Sequence, residues 1–535
     1  MKKVIALILA LCFIGLALAA CGSDTKATKA TTKPKGEAPT ETNEYGEPVL
    51  GETYDWTEIR DEVDGEQVKI LVRNYDQYVR EFGLEEVADV DDGDLDLQIL
   101  KRNGKLEADL GIETQITRAQ APAGYDAMAQ WFVDVIINDV DSGLHVYDVV
   151  AHFAYVAPQT AIRDCTANLA DSDTFPYFDF SLLCWNQSMV KNTLINGKLY
   201  YIAGNMNLST FDAAMIMWHN KDLYNEVKSQ IPDAPDDVQD LAVAGEWTYS
   251  ELYNIANYYS NKDIDGVCGD IYGIVLNGGR TGIPNPIDVI PYAWDLKLMN
   301  TNADGTHEYN VKGNQKLSDA ITKYNNLYKL QGNGQIAYDT VGGKVGDGCG
   351  HNHFVTGNVL FQADVIYRNK DTNLAIRNME DRFALLPHPK YDNAQESYAT
   401  TTQDNYTLMV ALDHSESSVP TNGKAVSAYL QYCTELSYEM VYLYYLYDIV
   451  IPTYFGTVES KEDPHIKKSV AILNELLKNL RFEFYTIYSP LLNDAVWLFR
   501  DLCAQNKSIE QYYLENQDKF DKAVEDTDKW LGLIN

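Results

Sequence analysis

The sequence contains no GxSxG, HExxH, GxxxxGK[ST] or GxGxxG pattern, so nothing in it supports a nucleophile elbow, a zincin helix, a P-loop or a dinucleotide-binding turn. None of its eight cysteines stands in CxxC spacing, which leaves no basis for a structural zinc site. Basic residues are scarce: 43 Lys and Arg face 78 Asp and Glu, for a net charge of −35. A surface this acidic repels phosphate and argues against nucleic acid and anionic lipid as direct partners. Long apolar runs are also missing beyond the first 20 residues. The nearest, Met440 to Ile451, is shorter than the roughly 18–20 residues of a membrane span and carries Asp448, so it reads as a buried helix.

What is present begins at the N-terminus. Lys2-Lys3, the apolar stretch Val4 to Leu18 and Leu18-Ala19-Ala20-Cys21 have the layout of a secretory signal ending in a lipobox. The expectation is that residues 1–20 are removed and Cys21 is lipidated, with the lipid as the only membrane contact, on the outer face of a bacterial cytoplasmic membrane. Residues 21–53 are rich in Thr, Lys, Pro, Gly and Glu and read as a flexible linker. Cys165, Cys184, Cys268, Cys349, Cys433 and Cys503 remain; they allow up to three disulfides in 15 connectivities, or buried free thiols.

With 535 residues and 45% apolar content the chain can bury two or more cores. Val68 to Val72, Glu113 to Ile116 and Tyr147 to Ala151 read as strands. Met128, Trp131, Phe132, Val135 and Ile136 repeat at helical spacing between the last two. Strand, helix, strand implies a parallel α/β sheet, with cleft residues just past the strands' carboxyl ends. Ala213 to Trp218 is a buried-strand run, and the polar group His219-Asn220-Lys221 at its end is a candidate for presentation at a cleft. Thr248 to Glu251 is a capping box, which makes Trp247 a structural staple. Asn261, Asp263, Asp265 and Gly266 occupy calcium-loop positions 1, 3, 5 and 6, with Asp270 a further carboxylate in the loop, yet position 12 is Tyr272, so a plain Asx-rich turn is favoured over calcium. His351 and His353 stand two apart without a third ligand nearby.

Aromatic residues are abundant: 37 Tyr and 8 Trp. Sugar rings offer apolar faces to aromatic planes and hydroxyl rims to Asp, Asn and Arg. Aromatic and polar residues adjoin where strands or cleft loops end, and from these neighbourhoods Asp76, Phe153, Asn205, Trp294, Asp364 and Tyr406 are the candidate ligand contacts. Trp218-His219 could serve either ligand or core.

Several motifs follow one another in a familiar order. Asn196-Gly197-Lys198-Leu199-Tyr200 and Asn220-Lys221-Asp222-Leu223 are similar to the "dGklYgiP" and "YNKdLf" strands of the family 1 extracellular solute-binding proteins of ABC importers. Trp247-Thr248-Tyr249-Ser250-Glu251 resembles "tWdEl", Asp270-Ile271-Tyr272-Gly273 resembles "D-x-YG", the run Phe354 to Ile366 the return strand, and Leu386-Pro387-His388-Pro389-Lys390 "lPlPk". The resemblance implies a two-lobe periplasmic-binding-protein-like (type II) fold, each lobe a mostly parallel sheet flanked by helices, with strands crossing between lobes. The expected partition is 54–212 plus 360–405 for lobe 1, 213–359 plus 406–455 for lobe 2, and 456–535 as C-terminal helices packing across both. It also implies a monomeric, non-enzymatic receptor that delivers a small polar solute, an oligosaccharide, to the transmembrane subunits of an ABC permease, without a cofactor. A surface glycan-active enzyme and an oligopeptide receptor of the same fold are the alternatives.

Overall fold

The computed structural model describes residues 41–50, 53–74, 80–83, 93–122, 125–260, 272–276, 286–330, 353–367, 376–402, 406–418, 420–452, 463–504 and 507–535. In chain order the strands are β1 (Gln67–Val72), β2 (Glu113–Arg118), β3 (Val149–Phe153), β4 (Met215–Asn220) and β5 (Tyr272–Leu276). They continue with β6 (Met299–Thr301), β7 (His307–Tyr309), β8 (Val359–Val365), β9 (Phe383–Leu386) and β10 (Thr407–Ala411).

The first sheet has the order β10-β3-β1-β2, and the second β5-β8-β4-β9; β6 and β7 pair by themselves. β1 is parallel to both β2 and β3, with Ile70 opposite Ile116 and Val149. β10 runs antiparallel to β3. In the second sheet β5 is parallel to β8, and β4 is antiparallel to both β8 and β9. Each sheet therefore has three strands in one direction and one reversed. β3, β4, β5, β8 and β10 are buried at every position, as continuous apolar runs should be when helices cover both faces. β2, at an edge, is half exposed.

The helix Tyr125–Ser142 links β2 to β3; of the stripe expected from its spacing it buries Met128, Phe132 and Ile136 and leaves Trp131 and Val135 half-buried, while Val133 is buried in addition. On the other side of the first sheet lies Gly423–Ser437, a helix buried at every residue except Lys424. Such a helix has no wet face, so its polar side chains must find partners inside. Gln431 Oε1 accepts from the Trp185 indole at 3.0 Å, and Glu435 Oε2 from the Trp56 indole at 3.1 Å. The helix continues into π-helical turns at Tyr438–Tyr442 and Tyr445–Val450.

Two expectations need correction here. Residues 360–405 do not belong to the first lobe, nor 406–455 to the second: β8 and β9 pair with β4, while β10 pairs with β3 and Gly423–Ser437 packs on Gly93–Leu110. The assignment is exchanged because the apolar run at 354–366 stays in the lobe that β4 entered. Secondly, part of the stretch read as linker is packed. Tyr45 stacks on Tyr447 with ring centroids 4.9 Å apart, and its hydroxyl bonds Asp448. Glu47 accepts from Tyr447 Oη at 2.7 Å, so 41–50 lies against the π-helical turns. Tyr45 and Leu50 pack against the core, and Glu47 and the Pro48 carbonyl accept from Tyr447 and Tyr438.

Trp247 is structural, its indole donating to the Pro387 carbonyl at 3.1 Å. Cys165, Cys184, Cys433 and Cys503 are buried free thiols; Cys268 and Cys349 lie outside the described residues. Among the described residues no helix is long and apolar enough to cross a membrane.

Close packing in the second lobe makes one substitution diagnostic. A Cβ on Gly273 of β5 would stand 2.1 Å from the Ala256 carbonyl oxygen, a backbone atom that cannot swing aside. Gly273→Ala is expected to cost roughly 1–3 kcal/mol, read as a lower urea midpoint. An unchanged midpoint would refute this packing of β5 on the helix Tyr249–Ser260.

Candidate functional site

The strand directions locate the site. β1, β2 and β3 all end at one edge of the first sheet, where β10 begins; β5, β8 and β9 end at one edge of the second, where β4 begins. The segments joining those edges run beside each other. Met215 N donates to Thr401 O at 3.0 Å, Ile366 N to Ala214 O at 3.1 Å, and Ala214 bridges Thr402. The two sheets thus point their carboxyl ends at one another across the crossing segments, the position where open α/β sheets place ligands.

The geometry corrects the reading of His219-Asn220-Lys221. β4 enters the second lobe at the gap and runs away from it, so this polar group lies at the far end. Asn220 caps the following helix by accepting from Leu223 N and donates to Asp381 at 2.7 Å; Lys221 pairs with Asp237 at 3.0 Å. Trp218 and His219 are fully buried, and burial lowers His219 to about 3, so the imidazole is a neutral core group.

On the first lobe the floor of the gap is a buried polar junction. Arg73, the residue after β1, is only 2% exposed. Its Nη2 donates to Thr407 Oγ1 at 2.9 Å, and its guanidinium carbon lies 4.3 Å from the centroid of Phe153. Thr407 N donates to Ser209 Oγ at 3.0 Å, and Ser209 N to Glu81 Oε1 at 2.5 Å. Four separated pieces of chain meet here, among them the short helix Leu208–Asp212 that leads into the first crossing. Burial raises the Glu81 carboxyl to about 7, with the Ser209 bonds and Arg73 acting against it. His152, next to Phe153, is lowered to about 4, mainly by burial and also by Arg73.

Next to this junction, both lobes wall a narrow space. Ala154 and Tyr155 follow β3; Asp288 and Tyr292 come from the second lobe; Thr401, Thr402 and Tyr406 belong to the crossing that precedes β10; Phe482, Thr486 and Val496 come from the C-terminal segment. Tyr155 lies over Trp497 with centroids 5.9 Å apart and donates its hydroxyl to Asp494 at 2.8 Å. Tyr292 donates to Thr486 at 2.6 Å, and Tyr406 meets the Phe482 ring edge-on at 5.2 Å. Arg500 grips Asp288 with two nitrogens, Nε at 2.6 Å, each side chain 14% exposed. Burial raises the Asp288 carboxyl while the guanidinium opposes the rise. The enclosed volume is about 40 Å3.

A second, larger cavity of about 470 Å3 lies on the other side of the first crossing, between Cys184–Ser188, Ala203–Phe211, the π-helical turns and the end of the helix Pro464–Lys478.

The candidate contacts fall in different places. Phe153 forms the floor with Arg73, Tyr406 lines the gap, and Asn205 lines the larger cavity. Trp294 is fully enclosed, edge-on to Tyr249 and Tyr391, a core position in the second lobe. Asp364 is buried in β8, accepting from Gln362 Nε2 at 2.7 Å and from Val365 N. Asp76, Cys21 and the calcium candidates Asn261, Asp263, Asp265 and Asp270 lie outside the described residues, as does His351; among the described residues no three groups could hold a metal. Sequence reasoning missed Tyr155, Trp497, Asp288 and Arg500. Tyr155 belongs to the aromatic and polar neighbourhood His152-Phe153-Ala154-Tyr155, from which Phe153 is the candidate, whereas Trp497 gave no signal, because its partner is more than 300 residues away.

Two stability measurements follow. A buried carboxyl raised from 4.5 to about 7 keeps the folded state favoured below pH 4.5 and loses that contribution as pH climbs through 7, roughly 3 kcal/mol in all. Urea unfolding at pH 5 and pH 8 should show a larger loss for the native chain than for Glu81→Gln; equal losses would contradict it. Arg500→Met should cost about 3 kcal/mol by leaving Asp288 buried and unpaired, and adding Asp288→Leu should restore part of that. Strictly additive effects would mean that the pair is not coupled.

No protein-family model matches the sequence, and no curated protein does either. Solved structures do match. The sugar-binding protein MalE of the phytopathogen Xanthomonas citri superposes with a TM-score of 0.52 at 13% identity, covering 88% of this chain and all of its own. The ABC substrate-binding protein of Listeria monocytogenes in complex with cycloalternan gives 0.49 at 12% identity, over 86% of this chain and 100% of that one. The GacH receptor of Streptomyces glaucescens, solved unliganded and with acarbose, gives 0.49 at 12%, over 86% and 99%. The chain therefore has the two-lobe periplasmic-binding-protein-like fold that its strand order describes, shared with the Xanthomonas MalE over 88% of this chain.

Proposed function

We propose that the protein is a solute receptor that holds a small polar molecule, an oligosaccharide, between its lobes and passes it unchanged to an ABC permease, the receptor being tethered outside the membrane through lipid on Cys21. The observation that supports this best is the wall of the gap. Tyr155, Tyr292, Tyr406 and Phe482 bring aromatic planes from four parts of the chain to one place, beside Asp288 and three threonines, with Trp497 stacked on Tyr155, Asp494 bonded to its hydroxyl and Arg500 paired with Asp288. Aromatic faces suit the C–H face of a pyranose, and planar charged groups suit its hydroxyl rim. The fold shared with MalE, a protein named for binding sugar, agrees with that chemistry.

The mechanism follows from the size of the gap. A space of about 40 Å3 admits a water or two and no sugar ring. Ligand therefore enters only when the lobes separate, and it favours closure because the closed form alone lets it touch both walls. Arg73, Thr407, Ser209 and Glu81 tie β1, β10 and the first crossing together on one lobe, so separation is expected to occur in the crossings and not within the first sheet. No bond of the solute is made or broken.

The test is a titration of the full chain with a panel of malto-, cello- and xylo-oligosaccharides, followed by tryptophan fluorescence and thermal shift. At least one sugar should raise the melting temperature, and Tyr155→Ala and Trp497→Ala should each weaken it at least tenfold, about 1.4 kcal/mol. A rise with a peptide pool alone would reassign the receptor to peptides. Release of reducing ends would replace it with a glycan-active enzyme.

A further inference from the structure

We infer that the N-terminal hairpin, residues 41–50, is a stop on lobe separation: held against the π-helical turns at the back of the hinge, it sets how far the gap opens. This rests on the proposal that the lobes separate about the crossings, and not on which solute the gap takes. The hairpin is defined by its own bonds. Thr42 bridges Pro48, Val49 N donates to Glu41 O at 3.1 Å, and the Asn43 side-chain oxygen accepts from Tyr45 N and Glu47 N at 3.0 and 3.1 Å across the turn. Its far end is fixed to the first lobe: Leu50 packs on that lobe's core, and Thr53 Oγ1 donates to Glu435 Oε1 at 2.5 Å.

The seat of the hairpin is a further passage of the chain between the lobes. The π-helical turns follow Gly423–Ser437 of the first lobe and precede Pro464–Lys478, which packs on β9 and on Val238–Ala244 of the second. They also lie against the first crossing, with Tyr445 donating to Asp212 at 2.6 Å and meeting Phe211 edge-on at 5.7 Å. π-helical turns are rare, and they mark places where helices bend and functional sites form. The hairpin grips both of them. Tyr438 Oη donates to the Pro48 carbonyl at 3.1 Å and Tyr447 Oη to Glu47 at 2.7 Å, while the Tyr45 ring stacks on Tyr447 and its hydroxyl bonds Asp448. Burial raises both phenols, helped by Asp448 and Glu47 respectively, so both stay donors.

Tyr447 is also where the hairpin meets the second lobe, because Asn474 Nδ2 of Pro464–Lys478 donates to its hydroxyl at 3.4 Å. Glu47 and Pro48 wall the cavity of about 470 Å3 together with Asn474, Leu477 and Lys478. That cavity and the gap flank the first crossing. A rotation about the crossings that widens the gap narrows the cavity, and brings the end of this helix toward the hairpin. The cavity is the room for that travel. The hairpin, braced on two π-helical turns and on Glu435, is the wall the helix meets.

Lobe separation is read by pulsed electron resonance in the full chain, without added sugar. Spin-labelled unnatural amino acids stand at Asn138 in the helix Tyr125–Ser142 and at Glu226 in the helix Lys221–Val227, both exposed. Tyr45→Ala with Glu47→Ala frees the hairpin and should raise the population at long distances about fivefold, with Tyr45→Phe, which keeps the stack, in between. Leu477→Trp, which fills the cavity, should lower that population. Equal distance distributions in the native, hairpin-freed and cavity-filled chains, or shorter distances on freeing the hairpin, would overturn the inference. The outcome is separate from the solute assignment. If no oligosaccharide shortens the distance in any chain while freeing the hairpin lengthens it, the saccharide reading fails and the stop stands. If a sugar shortens it and the hairpin variants match the native chain, the stop fails and the saccharide reading stands.

Discussion

A chain that passes from one sheet to another must leave at the end where its strand finishes and enter where the next begins. That constraint accounts for the one reversed strand in each four-stranded sheet. β1, β2, β3, β5, β8 and β9 end at the gap; β4 and β10, the strands by which the chain arrives from the opposite lobe, start there and are therefore the reversed members of their sheets. From this single requirement come the position of the site, the burial of both entering strands, and the location of His219, Asn220 and Lys221 far from any ligand.

The polar junction on the first lobe shows what the constraint demands chemically. Wherever strands end, backbone and side-chain polar groups emerge together, and between two packed lobes there is little water to satisfy them. Arg73, Thr407, Ser209 and Glu81 satisfy one another in a short chain of bonds, with Phe153 beneath the guanidinium. Burial raises the carboxyl at the end of this chain, while Arg73 and the Ser209 bonds act to keep it charged. The gap beside this junction takes Phe482 and the Trp497 that stacks on Tyr155 from the C-terminal segment, which passes from the first lobe at Phe484–Ile487 to the second at Leu498–Ala504.

The local parts of the fold were legible in the sequence because they depend on local rules. The period-two and period-3.6 runs found β1, β2, β3 and the helix Tyr125–Ser142, and the capping box assigned Trp247 to structure. The choice of neighbour was not legible. The run at 354–366 looks the same whether it returns to the first lobe or stays in the second, since hydrophobic pattern describes the two faces of a strand and is silent about its edges. Trp294 and Asp364 stand beside polar residues in the sequence and are nevertheless enclosed: Tyr249 and Tyr391 arrive from other elements to cover Trp294, and Asp364 is bonded by Gln362 of its own strand. Tyr155 and Trp497 form a site only after the chain has folded back across more than 300 residues. Tyr45 stands in the stretch read as linker, and its partner Tyr447 is equally distant.

The strand order also bears on how the molecule comes to be made. The second sheet is assembled from one uninterrupted stretch, 215–386, whereas the first lacks its edge strand until residues 407–411 exist. During synthesis from the N-terminus, β3 remains an open edge while the whole neighbouring lobe is produced, a template for unwanted strand pairing. The later lobe can be finished first, and the earlier one closes only when the chain returns to it.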